Sequence, residues 1–168
     1  YIHSAAAAYG FTANSHINGL SFRDDQFSPE ATFTYNYNEQ ITSYLAYKEG
    51  FKSGGIDNSA LPTAGLNNLT AENSDFLYYD SEKAKGIECG IKTRSKESGL
   101  RLNIVAFNYR YSNLQVQLFN SSVLQYQTFN ASALTTKGLE LDLAYQTPIR
   151  GLFARTSGSL TNTEYTDD

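Results

Sequence analysis

Apolar and polar residues alternate one for one along several stretches of this chain. The clearest is 137–145, KGLELDLAY. Leu139, Leu141, Leu143 and Tyr145 fall on one side, and Gly138, Glu140, Asp142 and Ala144 on the other. A period of two is that of a β-strand with unlike faces. In 31–37, Ala31, Phe33, Tyr35 and Tyr37 alternate with Thr32, Thr34 and Asn36. In 86–92, Ile87, Cys89 and Ile91 alternate with Glu88, Gly90 and Lys92. In 100–106, Leu100, Leu102, Ile104 and Ala106 share a side opposite Arg101 and Asn103. The stretch 41–47 is less regular, with Ile41, Leu45 and Tyr47 against Thr42 and Tyr44. Weaker alternation over 152–160 and 4–12 brings the expectation to about seven strands.

The connections between these strands alternate in length. Asn38-Glu39-Gln40, 94–99 (RSKESG) and 147–151 (TPIRG) read as short turns, with Pro148, Gly99 and Gly151 as breakers. Long polar connections are expected at 14–26 and 53–80, and 113–130 reads as a strand extension that ends in a loop. Short turns on one side and long loops on the other are the habit of a transmembrane β-barrel. Strand length agrees: a tilted membrane strand needs ~9–11 residues, and the turns leave room for ~10–13. The expected fold is all-β, an antiparallel up-and-down meander of long strands forming a curved, open section of a transmembrane β-barrel.

Composition fits this reading and removes others. The chain holds 13 Tyr and 10 Phe, which favour a pleated surface, and 3 Pro. Mean hydropathy is −0.43, and no run approaches the ~18 apolar residues of a membrane helix. A net charge of −4 without a basic cluster argues against nucleic acid as a partner. The lone Cys89 has no partner for an internal disulfide, and His3 and His16 offer little to a metal.

Glu88, Glu140 and Asp142 are ordinary residues for a wet barrel wall, and no nucleophile elbow, HExxH or phosphate-binding loop accompanies them. No enzyme and no cofactor are expected. The Asn-x-Ser/Thr patterns at Asn68, Asn120 and Asn130 read as chance, and Phe76, Tyr78 and Tyr79 as an upward continuation of the next strand. Arg155 is expected opposite Asp142 on the charged side if the 147–151 turn is symmetric. A soluble carbohydrate-binding β-sandwich and a passive porin stand as the other readings.

Five segments, in order, carry a family resemblance. The stretch 43–55, SYLAYKEGFKSGG, resembles the "YAxYxxGFKSGG" segment of TonB-dependent receptor barrels. The stretch 82–92, EKAKGIECGIK, is similar to their "ELGxK" strand, with Cys89 in place of the usual leucine. The stretch 100–117, LRLNIVAFNYRYSNLQVQ, resembles "LRLNxAxFxxxYxDLQV", with Asn113 replacing the aspartate. The stretches 130–143 and 158–167 resemble "NAxxAxxxGxELEL" and "GxxxTDAxYxD".

The resemblance implies a 22-stranded outer-membrane barrel with an internal plug. Residues 1–168 would then be a partial barrel domain, about a third of the whole, without the plug and closing strands. It further implies TonB-driven uptake of a scarce nutrient such as a ferric siderophore, with TonB, the plug and outer-membrane lipid as partners. The location implied is the outer membrane of a Gram-negative bacterium. On this reading Phe33, Leu45, Ile87, Ile91, Leu102, Ile104, Leu139, Leu141 and Leu143 face lipid. Glu88, Lys92, Arg101, Glu140, Asp142 and Arg155 face the lumen. Ligand-binding residues are not assigned.

Overall fold

The computed structural model describes residues 20–57, 75–95, 97–121 and 125–166. These fall into two compact units, taken separately below. His3, His16, the 4–12 strand and the Asn68 pattern lie outside the described residues.

The larger unit is a six-stranded sheet. Its strands are β1 (Glu30–Asn36), β2 (Ile41–Lys52), β5 (Glu82–Ser95), β6 (Leu100–Ser112), β9 (Ala133–Gln146) and β10 (Phe153–Thr166). They lie side by side in chain order, so the sheet is a meander, and β1 and β10 are its edges. The pairs β1–β2, β5–β6, β6–β9 and β9–β10 are antiparallel. The Arg94 amide donates to the Gln40 carbonyl, and the Tyr44 hydroxyl reaches Glu88, so β2 and β5 also run in opposite directions. Strands β2, β5, β6, β9 and β10 have 12 to 14 residues, well beyond the ~5–6 of a typical soluble strand.

Short turns close the hairpins where the sequence calls for them. At 37–40 the Asn38 side chain accepts from the amides of Gln40 (2.8 Å) and Ile41 (2.9 Å). This local bond is the reason asparagine suits a turn. Gly99 and Gly151 have φ of +66° and +84°, a region open to glycine at little cost. One boundary moves: Arg94 and Ser95, expected in a turn, belong to β5 and pair with Arg101 and Leu100.

The smaller unit holds two ribbons. Strands β3 (Gly55–Ile56) and β4 (Tyr78–Tyr79) form one, with a turn of 3-10 helix at Asp75–Leu77. Strands β7 (Leu114–Asn120) and β8 (Gln125–Ala131) form the other. The segment 113–130 is therefore a hairpin and not a strand end with a loop. Asn113, between β6 and β7, has a φ of +53°. Asparagine is among the few side chains that accept this left-handed geometry. Tyr78 and Tyr79 likewise pair with β3, with Asp80 and Ser81 separating them from β5. Leu77 is fully buried, packed by Leu20, Ile56 and Tyr78.

Buried hydrophobic residues are few. Among the described residues they are Ala46, Ala133 and Ala144 in the sheet and Leu77 in the smaller unit. Large apolar side chains stand exposed, such as Leu139 at 52% and Phe33 at 74%. A sandwich buries its apolar faces between two sheets; among the described residues this face is left exposed.

Candidate functional site

The ladder registers fix which residues share a face, because directly paired residues point the same way. On one face stand Phe33 and Leu45, paired across β1 and β2. Ile91, Ile104 and Leu141 form a line across β5, β6 and β9, with Leu102 beside Leu143. Leu139 pairs with Leu160, and Ile87 and Leu143 hold the same parity on their strands. All nine apolar residues singled out from the sequence therefore share a face.

The six charged residues stand on the other. Lys92 pairs with Asn103, and Asn103 with Asp142; Arg101 pairs with Ala144, and Ala144 with Arg155. Glu88 pairs with Phe107 and Glu140 with Val105.

Two clusters organise this charged face. Half-buried Glu88 accepts from the hydroxyls of Tyr44 (2.5 Å) and Tyr109 (3.2 Å), and Lys48 lies 3.8 Å away. The Lys92 ammonium sits 5.1 Å from the Tyr44 ring centre, within cation–π range. Tyr44, Tyr109 and Lys48 were not singled out from the sequence. The available signal is a set of glycines on facing strands. The Tyr44 ring covers Gly90, Tyr109 covers Gly86, and Phe107 covers Gly138, so a Cβ at any of the three collides with its neighbours. Each ring fills the space a side chain leaves, the arrangement known as aromatic rescue of strand glycine.

The second cluster centres on Asp142, which accepts from Arg155 at 3.0 Å and from Arg101 at 3.4 Å. The ion pair expected between Asp142 and Arg155 forms, but diagonally: Ser157 is directly opposite Asp142, and Arg155 opposite Ala144. The partner of Asp142 sits two residues beyond the symmetric expectation because β9 runs to Gln146 and pairs with Phe153. A shift of two keeps Arg155 on its face. Between the clusters is a hollow of about 590 Å³, lined by Tyr44, Lys92, Asn103, Glu140, Asp142 and Ser157 among others.

Among the described residues no three His, Cys, Asp or Glu side chains gather as metal ligands. Of the three carboxylates considered for acid–base work, Glu88 is held by tyrosines and Asp142 by arginines.

In the smaller unit, side chains hold backbone. Gln115 and Asn130, direct partners across β7 and β8, both donate to the Asp80 carbonyl, at 3.1 and 2.9 Å. Gln115 also donates to the Ser53 carbonyl (2.9 Å), and Asn130 to that of Asn113 (2.9 Å) while accepting from the Asp80 amide (2.7 Å). Asp24 accepts from the Ser81 hydroxyl and, at 3.3 Å, from the Gly54 amide. The Ser81 hydroxyl is the main cause that holds the Asp24 carboxyl below its ordinary range. On the β7–β8 hairpin the Phe119 and Tyr126 rings meet edge to face at 5.3 Å, and both are exposed.

A family model described as "TonB dependent receptor-like, beta-barrel" matches residues 3–168. This chain belongs to that family. The family is one of transport receptors. Solved structures agree on the fold. The ferric yersiniabactin uptake receptor FyuA from Yersinia pestis is 18% identical with a TM-score of 0.64, over 86% of this chain and 20% of that one. The alcaligin outer membrane receptor FauA from Bordetella pertussis is 20% identical with a TM-score of 0.56, over 85% and 23%. The FrpB iron transporter from Neisseria meningitidis is 20% identical with a TM-score of 0.59, over 82% and 20%. The chain thus spans about a fifth to a quarter of these structures. A search of the curated proteins gave no match.

Proposed function

We propose that this chain forms part of the barrel wall of an outer-membrane TonB-dependent receptor that takes up a scarce nutrient such as a ferric siderophore. The observation that carries the reading is the division of the sheet. Nine apolar residues on five strands share one face, and six charged residues share the other. An exposed apolar band on long strands suits hydrocarbon, where the ladder satisfies the backbone polar groups between paired strands; Lys85, Arg110, Lys137 and Glu164 share this face only at its long-loop end. Leu139, Leu141, Leu143, Ile87, Ile91, Leu102, Ile104, Phe33 and Leu45 then face lipid. Glu88, Lys92, Arg101, Glu140, Asp142 and Arg155 line the lumen. Tyr35, Tyr37, Tyr47 and Tyr145 suit the interfacial rims.

Support for the cargo class comes from the names of two similar structures, the ferric yersiniabactin uptake receptor FyuA and the FrpB iron transporter. TonB and a plug would act through parts of the protein outside these residues. The test uses the full-length parent in its own cell. The expected result is recovery in the outer-membrane fraction and loss of iron-restricted growth on deletion of either the parent or TonB. Uptake that persists without TonB would replace this reading with a passive channel. Recovery in the soluble periplasm would end the barrel reading altogether.

A further inference from the structure

One register line crosses four adjacent strands with three arginines in it. Arg94 on β5 is directly opposite Arg101 on β6, Arg101 is opposite Ala144 on β9, and Ala144 is opposite Arg155 on β10. All belong to the charged face. Ala144 contributes only a buried methyl group, so the line is low in the middle. The three guanidinium groups, with Gly99 and Phe153, line a hollow of about 540 Å³ at the short-turn end of the sheet.

Charge in this hollow is unbalanced. Asp142 engages Arg155 at 3.0 Å and Arg101 at 3.4 Å. Asp142, beside the hollow, thus engages two of the three guanidinium groups, and the lining itself holds three arginines and no carboxylate, which leaves an excess of positive charge. Arg94 and Arg101 form a like-charged pair directly across a ladder, an arrangement that destabilises a sheet unless an anion is supplied. Arginine forks match the planar oxygen pairs of carboxylate and phosphate. We propose that this hollow binds a small oxyanion carrying two negative charges, of the phosphate or dicarboxylate class, with Asp142 as a built-in competitor for two of the three arginines. The inference rests on the sheet register and not on the cargo proposed above.

The experiment measures calorimetric binding of inorganic phosphate, and separately of succinate, to the detergent-solubilised full-length parent at low salt. Saturable binding of both is expected. Arg94→Gln is expected to weaken it about tenfold, since a charge-assisted pair is lost. Asp142→Asn removes the competitor and is expected to tighten binding several-fold. Lys137→Gln, on the opposite face, leaves it unchanged. Absence of saturable binding, equal weakening by Lys137→Gln, or weaker binding in Asp142→Asn would overturn the proposal. If Arg94→Gln does not assemble, Arg94→Lys replaces it, with intermediate affinity expected and unchanged affinity counting against the site.

Discussion

The sheet and the smaller unit solve the same problem, satisfying a chain without a large core, in different ways. In the sheet the main chain does most of the work. Long ladders pair residue with residue, and side chains only decorate two unlike faces. In the smaller unit the ribbons are short, and side chains bond to backbone carbonyls and amides instead. Gln115, Asn130 and Asp24 each hold two or more partners that way or through a hydroxyl. The difference teaches that robustness sits in different places. The sheet is sensitive to which face a residue occupies, and the smaller unit to the identity of a few polar residues.

The largest expected effect tests the unlike faces. Leu141→Arg places a charge on the apolar face and should cost ~2–4 kcal/mol at a bilayer midplane. Ser157→Arg, on the charged face opposite Asp142, should be tolerated. Comparing assembled protein in the outer-membrane fraction decides this; equal assembly of the two would erase the distinction between faces.

A smaller effect probes how the charged face is built. Gly90→Val should displace the Tyr44 ring and break its bond to Glu88. Overpacking of this kind costs about 1–3 kcal/mol. Denaturant unfolding of the full-length parent in detergent should show it, with Tyr44→Phe well below Gly90→Val. An unchanged midpoint for Gly90→Val would mean that the ring can leave at no cost.

In the smaller unit, Gln115→Ala removes bonds to the Ser53 and Asp80 carbonyls. The loss should be about 1 kcal/mol, because these groups are exposed and water replaces part of it. Faster hydrogen exchange confined to β7 and β8 is expected, with assembly intact. Exchange that accelerates throughout the sheet would contradict the division into two kinds of support.

The smallest effect depends on pH. The carboxyl of Asp24 titrates below its ordinary value of 3.8, chiefly through Ser81. A lowered folded-state value means that its contribution is fully present above the ordinary value and is lost as pH falls through the lowered one. Proteolytic nicking near Gly54 should therefore rise only in strong acid, and Asp24→Asn should reproduce it at neutral pH. Nicking that begins above pH 5 would assign the effect to another group.

Local sequence determined the strands of the sheet and their two faces. Alternation has a period that only a strand satisfies, and the turn residues Asn38, Gly99 and Gly151 each carry their own conformational reason. The nine apolar and six charged residues could therefore be sorted before any partner strand was known. Register needed the tertiary structure. A shift of two residues preserves every face, so nothing local set Arg155 diagonal to Asp142, or aligned Arg94 with Arg101 and Arg155. The same holds for Tyr44 above Gly90, which needs two strands at one spacing. Strands β7 and β8 were hidden for another reason: their support is Gln115 and Asn130 reaching residues 35 and 50 positions away, and periodicity carries no trace of such contacts.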